Sequence, residues 1–317
     1  MTKVLHGSVS ILEELAKEWD VKSVVLVRGV DSRVTLDVPC DARVHATPNP
    51  TTRDIERSAG MVCGASPDLV IGVGGGSAMD SAKLIASELD LPCFVAPTTA
   101  GTGAEVTPFA TVYRDGVKES MGCRAPFYAV LDPELTMSMP REVAASSGLD
   151  ALCQGIESLW SIKSTAESRA YSRECIRLCA EHLYCSVKHP DVENRRAMLR
   201  AANLSGRAIA IAGTTAAHAM SYHLTAEQGI PHGIAVAHWL TAVHWWNEDV
   251  TSEDCVDPRG PEWVKGICEE IHDLLPETVS RVVRLQLECP MPSSPLRDLP
   301  WSRADPARLA NNPRRAP

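Results

Sequence analysis

Residues 68–89, DLVIGVGGGSAMDSAKLIASEL, contain the transition that decides the fold of this chain. The run from 68 to 73 is almost entirely apolar, which is typical of a strand buried on both faces of a parallel sheet. Glycines at 74–76 follow at once, and Ser77 opens a segment with helical apolar spacing. A strand that turns through glycines into a helix lets backbone N–H groups approach a phosphate at the positive helix end. The spacing departs from GxGxxG because Ser77 replaces the third glycine, so a tight turn without ligand remains the alternative to anion binding.

Strand and helix patterns alternate on both sides of this turn. Helical spacing covers residues 8–19 and 53–64, and strand-like runs cover 22–28, 92–96, 110–114 and 128–131. The prolines in the segment 48–51 predict a turn or the start of a helix, because proline cannot occupy a ladder position. Such alternation predicts an α/β fold, a Rossmann-like parallel sheet with helices on both faces.

The second half of the chain carries helical patterns almost throughout. They cover residues 142–160, 166–187, 194–212, 232–246 and 261–275. We therefore expect a dinucleotide-binding α/β domain over 1–147 and an all-α metal- and substrate-binding domain over 148–288. Residues 289–317 are rich in proline and arginine without an apolar period, which predicts an irregular, poorly packed tail.

Composition narrows the class of protein. Of the 317 residues 44% are hydrophobic and 22% charged, and the formal charge of −9 argues against a nucleic-acid surface. The sequence shows neither a signal-peptide pattern at its start nor an apolar run long enough to span a membrane. Eleven cysteines occur without a CxxC pair, which is typical of reduced thiols, so we expect a cytoplasmic protein.

A second glycine-containing segment, PTTAGTGAEVT at residues 97–107, follows the predicted strand at 92–96. Its hydroxyl groups could bond the ribose, phosphate or carboxamide groups of a cofactor. A solvated loop is the alternative interpretation of the same residues.

Four polar residues of the helical half could bind a metal ion. Asp150 and Gln154 are four apart and project from one helix face, while His218 and His232 lie fourteen apart further along. A carboxylate with two imidazoles could hold a divalent transition metal and leave one coordination position open for substrate.

These segments occur in one order with LDPEL at 131–135, GLDAL at 148–152 and IPHG at 230–233. Together, over residues 1–275, they resemble the iron-containing (group III) alcohol dehydrogenases, which are related in fold to glycerol dehydrogenase and dehydroquinate synthase. The resemblance implies hydride transfer with NAD(P)H and a divalent metal, Fe2+ by the family's name, with Zn2+ or another ion as alternatives.

The resemblance also implies roles for single residues. The family's Asp, His, His, His ligands fall on Asp150, Gln154, His218 and His232. A neutral glutamine oxygen is a weaker ligand than imidazole, so lower metal affinity is expected and the identity of the ion stays open. The positions expected to contact the cofactor are Gly29, Asn49, Gly74, Gly75, Gly76, Ser77, Asp80, Thr98, Thr99, Thr102, Thr107 and Lys118.

Two further departures concern catalysis and cofactor choice. Four residues after His218, where many relatives carry a histidine, this chain has Tyr222 followed by His223. Either could pass a proton to the alkoxide, and register favours Tyr222. Arg28 stands where NAD-specific relatives carry an aspartate for the ribose, so NADPH use is expected beside NADH.

Within the family, DALCQGIESLWS at residues 150–161 is most similar to the phosphonoacetaldehyde reductases of phosphonate biosynthesis. The expected function is metal-dependent reduction of a small polar aldehyde, phosphonoacetaldehyde to 2-hydroxyethylphosphonate. A phosphonate would need a cation, for which Arg124, Arg141 and Lys118 are candidates. The alternatives are a glycerol-type polyol or short-chain alcohol dehydrogenase and a non-catalytic nicotinamide-binding relative. Neither nucleic acid nor membrane is expected as a partner, and a homodimer stays open.

Overall fold

The structure, a computed structural model, describes residues 2–29, 34–114, 117–275, 301 and 304–316. The chain divides into two compact units. Met1–Thr99 and Gly103–Met139 form the first unit, and Ala100–Thr102 and Pro140–Pro317 form the second.

The first unit carries the strands. They are β1 (Lys3–His6), β2 (Val24–Arg28), β3 (Cys40–His45), β4 (Leu69–Gly74), β5 (Cys93–Pro97), β6 (Phe109–Arg114), β7 (Val117–Gly122) and β8 (Tyr128–Leu131). Six of them form one sheet in the order β1-β8-β5-β4-β2-β3, in which neighbouring strands are parallel. The helices are α1 (Ile11–Glu18), α2 (Thr52–Cys63) and α3 (Gly76–Glu88). The α/β architecture predicted from the alternating pattern is confirmed.

The central strands β4 and β5 are apolar at every position, and β2 is apolar up to its last residue, Arg28, because both sheet faces are covered. On β2, Val25 and Val27 enter one core cluster, while Val24 and Leu26 enter the cluster on the opposite face. Successive side chains of a strand point to opposite faces, so burial on both sides removes the alternation seen in half-exposed strands.

The sheet differs from the prediction at its margins. The predicted strand at 110–114 is β6, which pairs with β7 in a separate antiparallel hairpin and not in the parallel sheet. Sequence reasoning did not find β1, β3 or β7. The strands β1 and β3 lie at the two edges of the sheet, and β3 alternates between partly buried and exposed residues. Short edge strands lack the continuous apolar run that identifies central ones.

The second unit is helical over its described residues. It contains α4 (Arg141–Trp160), α5 (Ala166–Lys188), α6 (Val192–Ala212), α7 (Ala216–Gln228), α8 (His232–Glu248), α9 (Pro261–Leu274) and the short α10 (Pro306–Leu309). Helix α4 packs against α5, α6, α8 and α9, so every residue from Gly148 to Trp160 is buried. The domain limit expected after residue 147 falls inside α4. In the described part of the chain, no helix is both long and apolar enough to cross a membrane.

Part of the C-terminal segment is packed. The Asn312 side-chain amide donates to the Asn247 amide oxygen (2.9 Å), and the Arg314 guanidinium pairs with Asp254 (2.7 Å). Asn311 and Asn312 are both buried. The prediction of a poorly packed tail is therefore wrong for residues 304–316, which are anchored by polar side chains that an apolar-period search does not detect. Residues 289–300 lie outside the described residues.

Candidate metal and cofactor sites

Three side chains from three helices of the second unit converge on one point. Asp150 lies in the middle of α4, His218 in the first turn of α7, and His232 begins α8. The Nε2 atom of His218 lies 3.2 Å, and that of His232 3.9 Å, from the same Asp150 oxygen, Oδ1. One candidate ligand atom from each residue lies within 4.8 Å of the other two.

Gly233 explains how the start of α8 reaches α4. A Cβ atom at this position would fall 1.8 Å from the backbone oxygen of Ser146 and 2.8 Å from the backbone nitrogen of Asp150. Only glycine allows the two backbones to approach so closely. The His232-Gly233 pair therefore brings the imidazole beside the Asp150 carboxylate.

A buried carboxylate that sequence reasoning missed supports His218. Glu157 lies seven residues after Asp150 on α4, and its Oε1 accepts hydrogen bonds from the backbone N–H groups of Thr215 (3.2 Å) and Ala217 (2.8 Å). Its Oε2 contacts Nδ1 of His218. No side chain caps α7 from within its own N-terminus, so Glu157 supplies the missing acceptor from α4. The only sequence signal was that Glu157 shares a helix face with Asp150.

The Glu157 contact sets the tautomer of His218. A carboxylate at Nδ1 favours a proton on that nitrogen, which leaves Nε2, the atom that faces Asp150, as the nitrogen able to bind a metal. Burial alone would raise the pKa of Glu157, but the facing imidazole and its hydrogen bonds lower it overall. Burial alone would lower the pKa of His218, but Glu157 and Asp150 raise it overall. Positive charge is therefore favoured at this point in the helical unit.

The donor set fits a divalent transition metal. One carboxylate and two imidazoles are the ligand types that Fe2+ and Zn2+ accept in proteins. Two ligands that are each about 2.05 Å from a tetrahedral ion lie about 3.3 Å apart. The observed separations of 3.2 and 3.9 Å bracket that value closely enough for small side-chain shifts to complete the site.

Gln154 lies one helical turn after Asp150 and is buried. Its Oε1 accepts a hydrogen bond from the Ser205 hydroxyl of α6 (2.9 Å). The amide is thus held in place by a neighbouring helix, and its assignment as the fourth ligand stays a prediction.

The two candidate proton donors lie in different surroundings. The Tyr222 ring stacks on His232, with ring centroids 6.0 Å apart, whereas the His223 ring lies 6.0 Å from that of Trp239. Burial raises the pKa of Tyr222 to about 12. Tyr222 therefore lies next to the three-residue cluster with its proton retained at neutral pH, and its catalytic role stays a prediction.

Arg308 is a second residue that sequence reasoning missed. It lies on α10, in the segment expected to be irregular, and its guanidinium lies 5.5 Å from the centroid of the Tyr222 ring. It also donates to the Thr214 hydroxyl and pairs with Asp305. No motif indicated this cation, because its position depends on how the C-terminal segment folds back on α7.

In the first unit, the glycine turn lies at the carboxyl edge of the parallel sheet. A Cβ atom at Gly74 would meet Ala78 at 2.6 Å and the backbone nitrogen of Gly29 at 3.0 Å, so the turn tolerates no side chain. Gly75 is the N-cap of α3 and offers no side-chain cap, which leaves the N–H groups of Gly76 and Ser77 at the helix start for an anion. The backbone of Thr98 donates to the Gly74 oxygen (2.9 Å).

Asn49 lies at the same turn. Its backbone N–H donates to the Ser77 hydroxyl (3.3 Å), and its φ of 54° lies in the left-handed region that asparagine tolerates. Gly76 follows Gly75 in the first turn of α3, and a Cβ at Gly75 would contact Thr99 at 3.4 Å. The arrangement can accommodate a pyrophosphate, and contact with a cofactor stays a prediction for these residues.

Other predicted cofactor residues tie the hairpin to α3. The fully buried Lys83 amine pairs with Asp80 (2.9 Å) and donates to the Thr107 hydroxyl (3.1 Å) and the Phe109 oxygen (2.6 Å). Asp80 also accepts from the backbone of Thr111 (3.0 Å). Asp80 and Thr107 therefore have structural partners, and their cofactor role stays a prediction. The cofactor roles of Lys118 and Thr102 also stay predictions. Lys118 lies opposite Tyr113 in the β6–β7 hairpin, and Thr102 belongs to the second unit.

Comparison with protein families gives two matches. Residues 4–133 match the iron-containing alcohol dehydrogenase family, and residues 144–309 match the C-terminal region of the Fe-containing alcohol dehydrogenase family.

Similar curated proteins and solved structures agree with these matches. A phosphonoacetaldehyde reductase of Streptomyces viridochromogenes is 36% identical over 77% of this chain and 69% of its own length. A 1-propanol dehydrogenase of Salmonella typhimurium is 35% identical over 67% of this chain, which spans 62% of that protein. The crystal structure of an iron-containing alcohol dehydrogenase of Thermotoga maritima aligns with all of this chain over 94% of its own length, with a TM-score of 0.84 and 28% sequence identity.

Proposed function

Since the chain belongs to the iron-containing alcohol dehydrogenase family, as its motifs predicted, we propose that it reduces a small polar aldehyde to the alcohol with NAD(P)H and a divalent metal. Membership of this family makes the protein an oxidoreductase. The observation that carries the metal-dependent part is the convergence of Asp150, His218 and His232 in the helical unit.

The protein's own groups divide the work of such a reduction. Asp150, His218 and His232 would hold the ion, which supplies Lewis acidity toward a carbonyl oxygen when bound. Glu157 orients His218, and Gly233 allows His232 to approach Asp150. The Tyr222 hydroxyl, protonated at neutral pH, can pass a proton to the alkoxide oxygen left after hydride transfer.

Phosphonoacetaldehyde is the substrate we propose. Its support is the segment at 150–161 together with the 36% identity to the Streptomyces viridochromogenes phosphonoacetaldehyde reductase. A phosphonate dianion needs a cation near the reacting carbonyl. Arg308 suits that role because its guanidinium lies beside Tyr222, whereas Arg124 pairs with Asp90 on the surface of the first unit.

Arg28 supports NADPH as the preferred cofactor. It ends β2, directly before Gly29, and its Nη1 donates to the backbone oxygen of Val34 (3.0 Å). A guanidinium at the carboxyl edge of the sheet can pair with a 2′-phosphate.

We also propose a cytoplasmic location, since the ten cysteines within the described ranges are free thiols.

The test is an aldehyde screen with metal-stripped, Fe2+-loaded and Zn2+-loaded protein, followed by the loss of NADPH or NADH absorbance. We expect turnover of phosphonoacetaldehyde, dependent on added metal, to exceed that of propionaldehyde and of glyceraldehyde. Preference for propionaldehyde or for oxidation of glycerol would support a short-chain alcohol or glycerol-type enzyme instead. Binding of NADPH without oxidation of any aldehyde would favour a non-catalytic relative.

A further inference from the structure

A second group of metal-ligand side chains lies at the other end of α8. His244 and Glu248 are one turn apart on this helix, and His272 faces them from the last turn of α9. The Nε2 atoms of His244 and His272 lie 3.4 and 3.3 Å from the same Glu248 oxygen, Oε1. One candidate ligand atom from each of the three lies within 4.8 Å of the others.

We propose that His244, Glu248 and His272 bind a second divalent ion, Zn2+ by the chemistry of the donors. The cluster shares no residue with the first one. His232 and His244 are twelve residues apart on α8, a rise of roughly 18 Å at about 1.5 Å per residue. The two clusters are therefore separate sites on one helix.

The two nitrogen–oxygen separations match those around a tetrahedral ion, and the two imidazole nitrogens lie within 4.8 Å of each other. Ligands that are each about 2.05 Å from zinc are separated by about 3.3 Å along each tetrahedral edge. Both measured nitrogen–oxygen separations, 3.4 and 3.3 Å, agree with that value. Two imidazoles and one carboxylate leave a fourth position for water, and this donor set is common among zinc sites.

The burial of His244 is an independent indication of a ligand. Its residue exposure is 8%, and within the described part of the chain neither Nδ1 nor Nε2 has a hydrogen-bond partner. Buried polar groups in proteins are nearly always paired, because leaving them unpaired is costly. An ion held between His244 and Glu248 would satisfy Nε2, the nitrogen that points toward the carboxylate.

The position of the cluster indicates a structural role. Glu248 closes α8 and His272 lies near the end of α9, so one ion would fix the ends of the two helices to each other. The His244 and His272 rings already stack, with centroids 4.7 Å apart. The ion would stabilise the folded state by mass action, since the unfolded chain does not hold the three ligands together.

The experiment counts zinc ions bound per chain. The full-length, tag-free protein is stripped with a chelator under reducing conditions and then equilibrated with Zn2+ by dialysis. We expect two ions in the wild type, one in His272→Ala and one in Glu248→Gln. His272 is largely exposed, so we expect its replacement to leave the fold intact. His189→Ala, which removes another exposed histidine of the same unit, is the matched control and should keep two.

Further variants separate this proposal from the first site. His232→Ala should also bind one ion, and its remaining ion should be lost when His272→Ala is added. Co2+ in place of zinc reports nitrogen and oxygen ligation in its visible spectrum, and thiolate ligation by the cysteines would overturn the assignment. A His272→Ala variant that binds as many ions as the wild type would also overturn it, whether that number is one or two. If the single ion of the wild type is lost in His232→Ala and kept in His272→Ala, the first site stands and the second is refuted.

Discussion

Replacing Glu157 by glutamine keeps the size of the side chain and removes the charge that faces His218. The carboxylate accepts from Thr215 and Ala217 through Oε1 and contacts the Nδ1 of His218 through Oε2. An amide cannot accept on both sides. If its oxygen keeps the bonds to the start of α7, its NH2 group faces His218 and donates to Nδ1.

Such a donor reverses the tautomer of His218. The imidazole then carries its proton on Nε2, the atom that faces Asp150, and must give up that proton before it can bind a metal. Loss of an orienting outer partner typically costs 10–100-fold, about 1.4–2.7 kcal/mol, in metal affinity. If the amide instead turns its oxygen to the histidine, the first-turn N–H groups lose an acceptor, which costs about 1–3 kcal/mol of stability.

The assay combines metal affinity, from competition with a chelator, and thermal unfolding of the stripped protein. Glu157→Gln should bind Fe2+ or Zn2+ at least about tenfold more weakly, or unfold several degrees lower, than the wild type. Glu167→Gln, an exposed exchange of the same kind on α5, should change neither quantity. Wild-type affinity together with wild-type stability in Glu157→Gln would refute the reasoning.

Three further predictions concern packing, substrate and pH. Gly233→Ala places a Cβ atom against the Ser146 backbone oxygen and should lower the stability by about 1–3 kcal/mol and also the metal affinity. The control Gly266→Ala, whose Cβ would meet nothing within 4 Å, should lower neither. Denaturant unfolding measures the stability, and competition with a chelator measures the metal affinity. Arg308→Gln should raise the KM for phosphonoacetaldehyde about tenfold or more and leave the KM for propionaldehyde unchanged. The control variant Arg124→Gln should change neither KM. An equal rise for both aldehydes in Arg308→Gln would contradict a phosphonate contact. Hydrogen bonds from Thr51 lower the pKa of Asp54 below its ordinary 3.8, so the stability this cap contributes is present above that pH and lost as pH falls through the lowered value. Asp54→Asn should thus cost about 1 kcal/mol at pH 7, and urea unfolding should show the difference narrowing as the pH falls below 3.8.

The parts of the fold that sequence patterns predict are those where one physical requirement acts alone. The strand β4 must be apolar on both faces, and the turn at Gly74 has no room for a side chain. The edge strands β1 and β3 carry no such requirement, since one side of each has no strand partner. Their residues resemble those of loops, and only pairing with a neighbour makes them strands.

The same distinction applies to the candidate site. Asp150, His218 and His232 are recognisable because their residue types and order carry the chemistry. Glu157 on α4 and Arg308 on α10 reach residues of α7 that are distant in sequence, and no local spacing expresses such contacts. Lys83 illustrates the reverse case. It is a charged residue within a motif that suggests a ligand, yet its side chain is fully buried against Asp80 and the β6–β7 hairpin.

The central claim is that Asp150, His218 and His232 hold the ion on which aldehyde reduction depends. The most direct measurement is the rate of phosphonoacetaldehyde-dependent NADPH oxidation by stripped wild type and His232→Ala, before and after anaerobic addition of Fe2+. We expect no turnover from either stripped protein and restoration by Fe2+ in the wild type alone. Turnover by the stripped wild type in excess chelator, or full restoration in His232→Ala, would contradict the claim.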